Sequence, residues 1–258
     1  MRLLYMSQNQ AQIFEVFNSI QGEGLYLGER QTFIRFAGCN LSCQYCDSPE
    51  ALVVPKEFKV EVSPGKKNFQ QFTNPATIPQ LIELVSSFEK PRGVNHSISL
   101  TGGEPLLQID LLKNLIPELK KEIGLPIYLE TNGVLPDHLS EVIEMVDITA
   151  FDIKLPSATG FSPYWKEHRK ALEIAYMKEV FVKMVFTRES KAKEIDEAVS
   201  LIAEVDEKIP LILQPVTPFG PIKHRPNPDQ IMAFHAVSKR KLKNVRVIPQ
   251  VHKVFGVL

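Results

Sequence analysis

The chain has 258 residues, with 44% hydrophobic and 23% charged residues and a formal net charge of zero. This length and composition are typical of one globular domain with a sizeable core. The neutral balance argues against a nucleic-acid binder, which usually carries a basic excess, so we expect no direct nucleic-acid partner and a small-molecule substrate.

The first twelve residues begin with a short apolar stretch that turns polar at Ser7, too short for the hydrophobic part of a secretory signal. Elsewhere no apolar run reaches the roughly 18 residues of a membrane span. The three cysteines all fall between positions 39 and 46, whereas a disulfide framework would use a dispersed, even set. We therefore predict a cytoplasmic protein, without membrane contact, whose cysteines serve chemistry.

Short apolar, β-branched runs alternate with longer amphipathic segments along the chain. The predicted strands span residues 32–37, 97–101, 127–131, 148–153, 180–186, 211–214 and 245–248. The predicted helices span residues 78–88, 109–120, 139–145, 164–176, 193–205 and 229–240. Strands as apolar as 148–153 suit a parallel sheet covered by helices on both faces. With right-handed crossovers, about six β/α units predict an α/β fold that closes into a partial or complete barrel.

One stretch, residues 50–74, breaks this alternation. It carries lysine-rich patches, Pro55, Pro64 and Gly65, and shows little periodicity. We interpret residues 1–258 as a single domain in which residues 50–74 form an inserted excursion over the site.

A C-x3-C-x2-C loop, formed by Cys39, Cys43 and Cys46, follows the first predicted strand. Three thiolates can each bind one iron of a [4Fe–4S] cluster, which leaves the fourth iron open to another ligand. Structural zinc is the alternative, but it usually takes four protein ligands. The nearest histidine is His96, far along the chain, and Asp47 would be a poor fourth ligand. We predict the cluster.

The second predicted strand runs into a glycine turn, Thr101-Gly102-Gly103-Glu104. Paired glycines let the backbone approach a ligand closely, and a carboxylate can accept from a cationic amino group. Three later strands also end in polar residues, at the edge where barrel enzymes gather their functional groups. These residues are Glu130, Thr131, Asn132, Asp152, Lys154 and Gln214. Local capping and turn chemistry remain the simpler interpretation for each of them.

Together, the cysteine loop and the glycine turn resemble the radical S-adenosylmethionine (SAM) superfamily. The resemblance implies a partial or modified (β/α)6 TIM-like barrel in which SAM binds the open iron. It assigns Cys39, Cys43 and Cys46 to the cluster and the turn 101–104 to the amino group of SAM. Tyr45 would pack near the adenine. By their positions, the further SAM contacts would be Thr131, Asn132, Lys154 and Gln214.

The segments that flank these motifs are more specific. Residues 17–24, 33–39, 46–48 and 249–258 resemble the 7-carboxy-7-deazaguanine synthase family of radical SAM enzymes. This implies a carbon–nitrogen lyase that contracts the ring of 6-carboxy-5,6,7,8-tetrahydropterin with loss of ammonia, in deazapurine and queuosine biosynthesis, a tRNA modification pathway. It also implies a need for Mg²⁺, an electron donor such as flavodoxin or ferredoxin, and a homodimer.

The same resemblance gives the substrate residues. Gln21, Gly22 and Glu23 would meet the pterin edge, and Arg35 would hold the substrate carboxylate in a two-pronged grip. His252 and the terminal carboxylate of Leu258 would also contact the substrate, while the Ser48 hydroxyl would reach Mg²⁺. The simpler alternatives are a polar turn, a surface arginine, a helix cap and plain docking of the last residues.

Two other functions stay open at this point. A radical SAM activase would make a glycyl radical on a partner protein and would need a surface that docks a peptide loop. A non-enzymatic iron–sulfur carrier would have no use for the glycine turn at residues 101–104. Cleavage of SAM would exclude the carrier, and dependence of turnover on the carboxypterin would exclude the activase.

Overall fold

A ten-stranded mixed sheet is the framework of the computed structural model, which describes residues 9–258. The apolar start of the chain, interpreted above as too short for a secretory signal, belongs mostly to residues 1–8 and lies outside the described residues. A separate two-stranded sheet pairs β1 (Gln10–Ala11) with β6 (Ala76–Thr77). The strands of the ten-stranded sheet, in chain order, are β2 (Ile13–Ile20), β3 (Arg30–Phe36), β4 (Glu57–Glu61), β5 (Phe69–Thr73), β7 (Ser97–Gly102), β8 (Ile127–Thr131), β9 (Ile148–Asp152), β10 (Glu179–Phe186), β11 (Leu211–Pro215) and β12 (Val245–Val247).

The helices cover the sheet between successive strands. In chain order they are α1 (Ile78–Phe88), α2 (Ile109–Glu122), α3 (Pro136–Val142), α4 (Pro156–Thr159), α5 (Trp165–Ala175), α6 (Ala192–Asp206), α7 (Pro228–Lys239) and α8 (His252–Phe255). Short 3-10 turns lie at Pro49–Leu52, Pro105–Gln108 and Ile143–Met145. Among the helices of residues 9–258, none has both the length and the apolar character needed to cross a bilayer.

Seven parallel strands form the main part of the sheet. The order is β12-β11-β10-β9-β8-β7-β3-β2-β4-β5, and β3 and β7 to β12 all run in the same direction. The outermost strands, β12 and β5, do not pair with each other, so the sheet stays open. This confirms the predicted α/β fold and its partial barrel. Because the strands are parallel, their carboxyl ends lie at one edge, where ligands bind in such folds.

Local sequence explains why the predicted helices form. Thr77 caps α1 by accepting from the Gln80 backbone N–H at 3.3 Å, and Pro79 lies in the first turn, where a proline costs no hydrogen bond. One face of α1, which includes Leu81 and Val85, is buried against the sheet. Strand β9 is buried along its whole length, as expected for a parallel strand covered on both faces.

The antiparallel part of the sheet was not predicted from the sequence. Strand β2 pairs antiparallel with β3, and residues 50–74 contain the hairpin β4–β5, with β4 parallel to β2. Phe58 is fully buried and stacks on Phe72, which holds the hairpin to the sheet. Of residues 50–74, Leu52 lines the cavity described below. That the chain is one domain with an excursion at 50–74 stays a prediction.

Candidate active site

A cavity of about 350 Å³ lies at the carboxyl ends of the parallel strands. Every residue assigned to a site from the sequence lines it, so residues from both ends of the chain meet around one cavity. They are Gln21, Gly22, Glu23, Arg35, Cys39, Cys43, Tyr45, Cys46, Ser48, Thr101, Gly102, Gly103, Glu104, Thr131, Asn132, Lys154, Gln214, His252 and Leu258. The role of each residue stays a prediction.

Backbone hydrogen bonds hold the cysteine loop against the sheet. The Gly38 N–H donates to the Ala51 carbonyl at 2.7 Å, and the Gly38 carbonyl accepts from the Glu104 N–H at 2.9 Å. Within the loop, the Cys46 N–H donates to the Cys43 carbonyl at 3.0 Å. The loop that follows β3 is therefore fixed directly to the glycine turn that follows β7.

Gly103 allows this close approach. A Cβ atom at position 103 would lie 1.9 Å from the Gly38 carbonyl oxygen, a distance that forces a displacement of the backbone. The paired glycines of the turn thus serve contact between two loops of the protein, in addition to any contact with a ligand.

The three cysteines are free thiols, each half-buried. Burial raises the pKa of Cys39 to about 11 and also raises the pKa values of Cys43 and Cys46. The thiolate form of these cysteines therefore needs a bound cation to stabilise it. A metal ion provides that cation when it displaces the thiol protons.

The distances between the three sulfur atoms help to decide whether the loop binds a cluster or a single zinc ion. Zinc binds sulfur at about 2.3 Å, so the thiolates on one ion lie less than about 5 Å apart. Within residues 9–258, one group of three possible metal ligands has its ligand atoms within 4.8 Å of one another: Glu23, Asp47 and His252. The three cysteines do not form such a group. The three sulfurs therefore do not all lie within 4.8 Å of one another in this arrangement, and a multi-iron cluster, which takes one thiolate per iron, is the group that they fit.

Glu104 is the last residue of the glycine turn, and its side chain is buried. Its carboxylate accepts from the Asn132 N–H at 2.8 Å, the Thr131 hydroxyl at 2.9 Å and the Leu106 N–H at 3.1 Å. Burial raises the pKa of Glu104 to about 7 in spite of these hydrogen bonds. A cationic amino group at this position would favour the carboxylate form and is the ligand that the site fits.

Further along the same wall, two buried acceptors lack a hydrogen-bond partner among the described residues. They are Asp152 Oδ1 and Gln214 Oε1. The other oxygen of Asp152 accepts from Lys154 Nζ at 2.7 Å, and this ammonium lies 5.4 Å from the centre of the Tyr45 ring. Because buried polar atoms are normally hydrogen-bonded, these acceptors point to a polar ligand in the cavity, and SAM would supply donors.

Arg35 lies on β3, in register with Thr101 on the neighbouring strand β7. Its Nε donates to Glu15 Oε1 at 2.8 Å, and the guanidinium lies 5.5 Å from the centre of the Phe17 ring. Gln21 lies nearby; its Oε1 accepts from the Glu23 N–H at 3.0 Å. An arginine held through Nε can use its terminal nitrogens for a carboxylate.

The last residues of the chain complete the cavity wall. The Val251 N–H donates to the Gly22 carbonyl at 2.9 Å, and the Leu258 carbonyl accepts from the Ser19 hydroxyl at 3.1 Å. A Cβ atom at position 22 would lie 2.4 Å from His252 Nδ1, so glycine is what lets His252 reach this place. Burial lowers the pKa of His252, which favours the neutral imidazole.

Sequence reasoning missed Lys183, Gln250 and Asp47. Gln250 Nε2 donates to Glu23 Oε1 at 2.8 Å and to Asp47 Oδ2 at 2.7 Å, so it connects the substrate segment to the cysteine loop. Lys183 pairs with Glu23. One signal could have revealed Lys183, because it is the single charge within the apolar run 180–186. Gln250 lies in the family-like segment 249–258, but its contacts depend on how the last residues fold back and could not be predicted from that resemblance.

Comparison with known proteins agrees with this geometry. The model of the Radical SAM superfamily matches residues 33–204. A 7-carboxy-7-deazaguanine synthase of Geobacter sulfurreducens is 44% identical over 98% of this chain and 100% of its own length. One from Thermococcus kodakarensis is 36% identical over 95% of this chain and 98% of its own. The crystal structure of QueE from Escherichia coli has a TM-score of 0.56 at 20% identity, covering 92% of this chain and 93% of that one, a likeness of fold.

Proposed function

Because this chain belongs to the radical SAM superfamily and, within it, to the 7-carboxy-7-deazaguanine synthase family, we propose that it contracts the ring of 6-carboxy-5,6,7,8-tetrahydropterin and releases ammonia to form 7-carboxy-7-deazaguanine. One observation carries the proposal to the site. The cysteine loop, the glycine turn and the segment Gln21–Glu23 all line the same cavity, so cofactors and substrate would meet there.

The cofactor wall would hold the cluster through Cys39, Cys43 and Cys46 and SAM through the turn at Glu104. When bound, the two cofactors supply one-electron cleavage of SAM and abstraction of a hydrogen atom from the substrate. The protein orients them: the hydrogen bond from Glu104 N–H to the Gly38 carbonyl fixes the distance between the two loops. The unpartnered oxygens of Asp152 and Gln214 would accept from SAM.

The substrate wall would hold the pterin. The Glu23 carboxylate and the Gln21 amide can meet its N–H edge, and the terminal nitrogens of Arg35 can bind its carboxylate. The neutral His252 and the end of the chain at Leu258 would close the site beside Gly22. Enclosure of this kind excludes water and keeps a reactive radical from side reactions.

We place Mg²⁺ at Ser48. This hydroxyl lines the cavity and donates to Asp47 Oδ1 at 3.3 Å, so oxygen atoms of the type that Mg²⁺ prefers lie together there. Held there beside Asp47, Mg²⁺ would keep several waters and would supply charge stabilisation to the substrate carboxylate.

The two alternative functions have less support. An activase needs room for a peptide loop, whereas this cavity of about 350 Å³ carries charged side chains suited to a small acid. An iron–sulfur carrier gives no reason for a buried carboxyl group at Glu104 beside the cysteine loop.

Anaerobic reconstitution with iron and sulfide, followed by assay with the carboxypterin, SAM, reductant and Mg²⁺, tests the proposal. We expect 7-carboxy-7-deazaguanine and a loss of turnover when Mg²⁺ is removed. An enzyme that holds iron and cleaves SAM but gives no deazaguanine product would contradict the substrate assignment. Turnover that persists without any divalent ion would contradict the metal site.

Arg35→Ala should raise the KM for the carboxypterin by at least about tenfold, because a charged hydrogen-bonding partner of a carboxylate is lost. Slow SAM cleavage without substrate should stay within about twofold of the original protein. Lys59→Ala is the matched control, since Lys59 also approaches Glu15, at 4.0 Å, but lies outside the cavity wall. Equal losses in both activities of Arg35→Ala would count against a substrate role.

Three further assignments belong to this proposal. We place the protein in the cytoplasm, where precursors of modified tRNA bases are made, and expect a flavodoxin or ferredoxin as its electron donor. We also expect a homodimer. Size-exclusion chromatography with light scattering tests the dimer, and reduction by purified flavodoxin tests the donor.

A further inference from the structure

A row of four charged side chains runs along the cavity wall: Glu23, Lys183, Asp152 and Lys154. Lys183 Nζ lies 2.5 Å from Glu23 Oε2 and 3.7 Å from Asp152 Oδ2. Asp152 Oδ2 in turn lies 2.7 Å from Lys154 Nζ. The exposed fractions of the side chains of Lys183 and Glu23 are 13% and 17%, so this row is shielded from solvent. Nothing in the proposed function uses Lys183.

Lys183 joins segments that are distant in the chain. It is in register with Asp152 across the pair β10–β9, whereas Glu23 belongs to the segment between β2 and β3. That segment bears the pterin-binding residues proposed above, and Asp152 belongs to the wall proposed for SAM. Lys183 is therefore the cation shared by the two halves of the site.

Strand β10 holds the β2–β3 segment at three alternate residues. The Tyr26 hydroxyl donates to the Glu179 carboxylate, and a Cβ atom at Gly24 would lie 2.5 Å from the Phe181 ring. Glu179, Phe181 and Lys183 share one face of the strand, since side chains alternate along it. The segment between β2 and β3 thus lies along β10. Of its three contacts with β10, the Lys183–Glu23 pair is the one next to Asp152, which belongs to the wall proposed for SAM.

The charge of Glu23 depends on this pair. Burial by itself would raise the pKa of Glu23, but the Lys183 ammonium and the hydrogen bonds from Lys183 and Gln250 lower it to about 2. Without Lys183, the Gln250 amide is the remaining hydrogen-bonding side chain, and a buried carboxylate without its counter-ion is strongly disfavoured. Asp152 differs, because it would keep Lys154.

We propose that Lys183 is a positioning residue for the pterin: its ammonium holds the Glu23 carboxylate in place and directed at the donor edge of the ring. The inference rests on the proposed function and extends it to a residue that does not touch the substrate in our assignment. Because Asp152 keeps its own partner, the effect of Lys183 falls on substrate binding and not on SAM.

The first test is Lys183→Met, which keeps the length of the side chain and removes its charge. In the cluster-loaded enzyme, the KM for the carboxypterin should rise at least about tenfold, while the KM for SAM and uncoupled SAM cleavage stay within about threefold. The dissociation constant for oxidised 6-carboxypterin, measured by equilibrium dialysis with SAM present, should rise in parallel. The control is Lys178→Met, which removes an ammonium paired with Glu144 just before β10.

A double-mutant cycle with Glu23→Gln separates positioning from mere structural support. If Lys183 acts through Glu23, Lys183→Met adds less than about twofold to the KM effect in the Glu23→Gln background, where no carboxylate remains to be held. Lys183→Arg, which keeps the charge, should recover most of the pterin affinity lost in Lys183→Met. Full additivity, or equal losses for SAM and pterin, would overturn the inference.

The outcomes keep this inference apart from the proposed function. Absence of deazaguanine product from the unmodified, SAM-cleaving enzyme contradicts the function. A productive unmodified enzyme with unchanged pterin affinity in Lys183→Met contradicts the role of Lys183 alone. Thermal unfolding of each variant shows whether a loss arises from misfolding, and the neutral pair Glu23→Gln with Lys183→Met provides a variant without an unpaired buried charge.

Discussion

Cys43→Ala is expected to reduce SAM cleavage to background and to leave the reconstituted protein without a stable four-iron cluster. The chain contains three cysteines, so no spare thiol can replace the missing ligand. Two iron atoms would then lack a protein ligand, and the single open coordination position on which SAM binding depends would no longer be defined.

The measurement combines iron and sulfide content, the visible spectrum of the reconstituted protein and release of 5′-deoxyadenosine. Ser42→Ala is the matched control, because Ser42 is an exposed neighbour in the same loop. It should reconstitute and cleave SAM like the original protein. SAM cleavage retained by Cys43→Ala would mean that another set of ligands holds the cluster.

Gly103→Ala should remove most SAM binding and cleavage while leaving the fold intact. The new methyl group would lie 1.9 Å from the Gly38 carbonyl oxygen, so the glycine turn and the cysteine loop must move apart. Overpacking of this kind typically lowers the free energy of unfolding by about 1–3 kcal/mol. The displacement would move both loops that are proposed to hold the cofactors. Isothermal titration of the cluster-loaded variant with SAM measures the effect, and unchanged affinity would contradict it.

Gly22→Ala is the matched control for this effect. It also introduces one methyl group into the cavity wall, but the clash is with the His252 side chain, 2.4 Å away, on the substrate side. We expect SAM cleavage without substrate to persist and pterin turnover to fall. The two variants together distinguish local disruption of either wall from general damage by an added methyl group.

The parallel sheet was predictable from the sequence because each of its strands has a simple local pattern. Runs such as residues 148–153 are mainly apolar, with Thr149 and Asp152 as their polar members, and the helices between such runs are amphipathic with recognisable caps such as Thr77. The polar residues that end these strands were predictable for the same reason, since the carboxyl ends of parallel strands meet at one edge.

The antiparallel part could not be predicted in this way, because its strands bury polar residues. In β2 the side chains of Glu15, Asn18 and Ser19 are all buried, which hides the apolar pattern of a strand. Asn18, for example, donates to Asn95 Oδ1 at 2.7 Å and to Thr32 Oγ1 at 2.8 Å. Such partners are supplied by distant segments, and a local pattern does not reveal them.

Some residues of the candidate site could likewise be predicted from local sequence, and others could not. Cys39 and Glu104 belong to short motifs whose spacing is readable in the chain. Lys183 and Gln250 act through partners more than a hundred residues away, Glu23 in both cases. Their significance depends on tertiary contacts, so the sequence shows at most that a charge lies in an apolar strand.

The backbone bonds that hold the cysteine loop have a consequence for damage by oxygen. Small metal-dependent domains unfold when their metal leaves, because the metal itself organises the chain. Here Gly38 is anchored to Ala51 and Glu104 through main-chain groups, without any sulfur atom. After oxidative loss of the cluster, the cysteine loop would therefore keep its conformation. Fresh iron and sulfide could then rebuild the cluster in the folded protein.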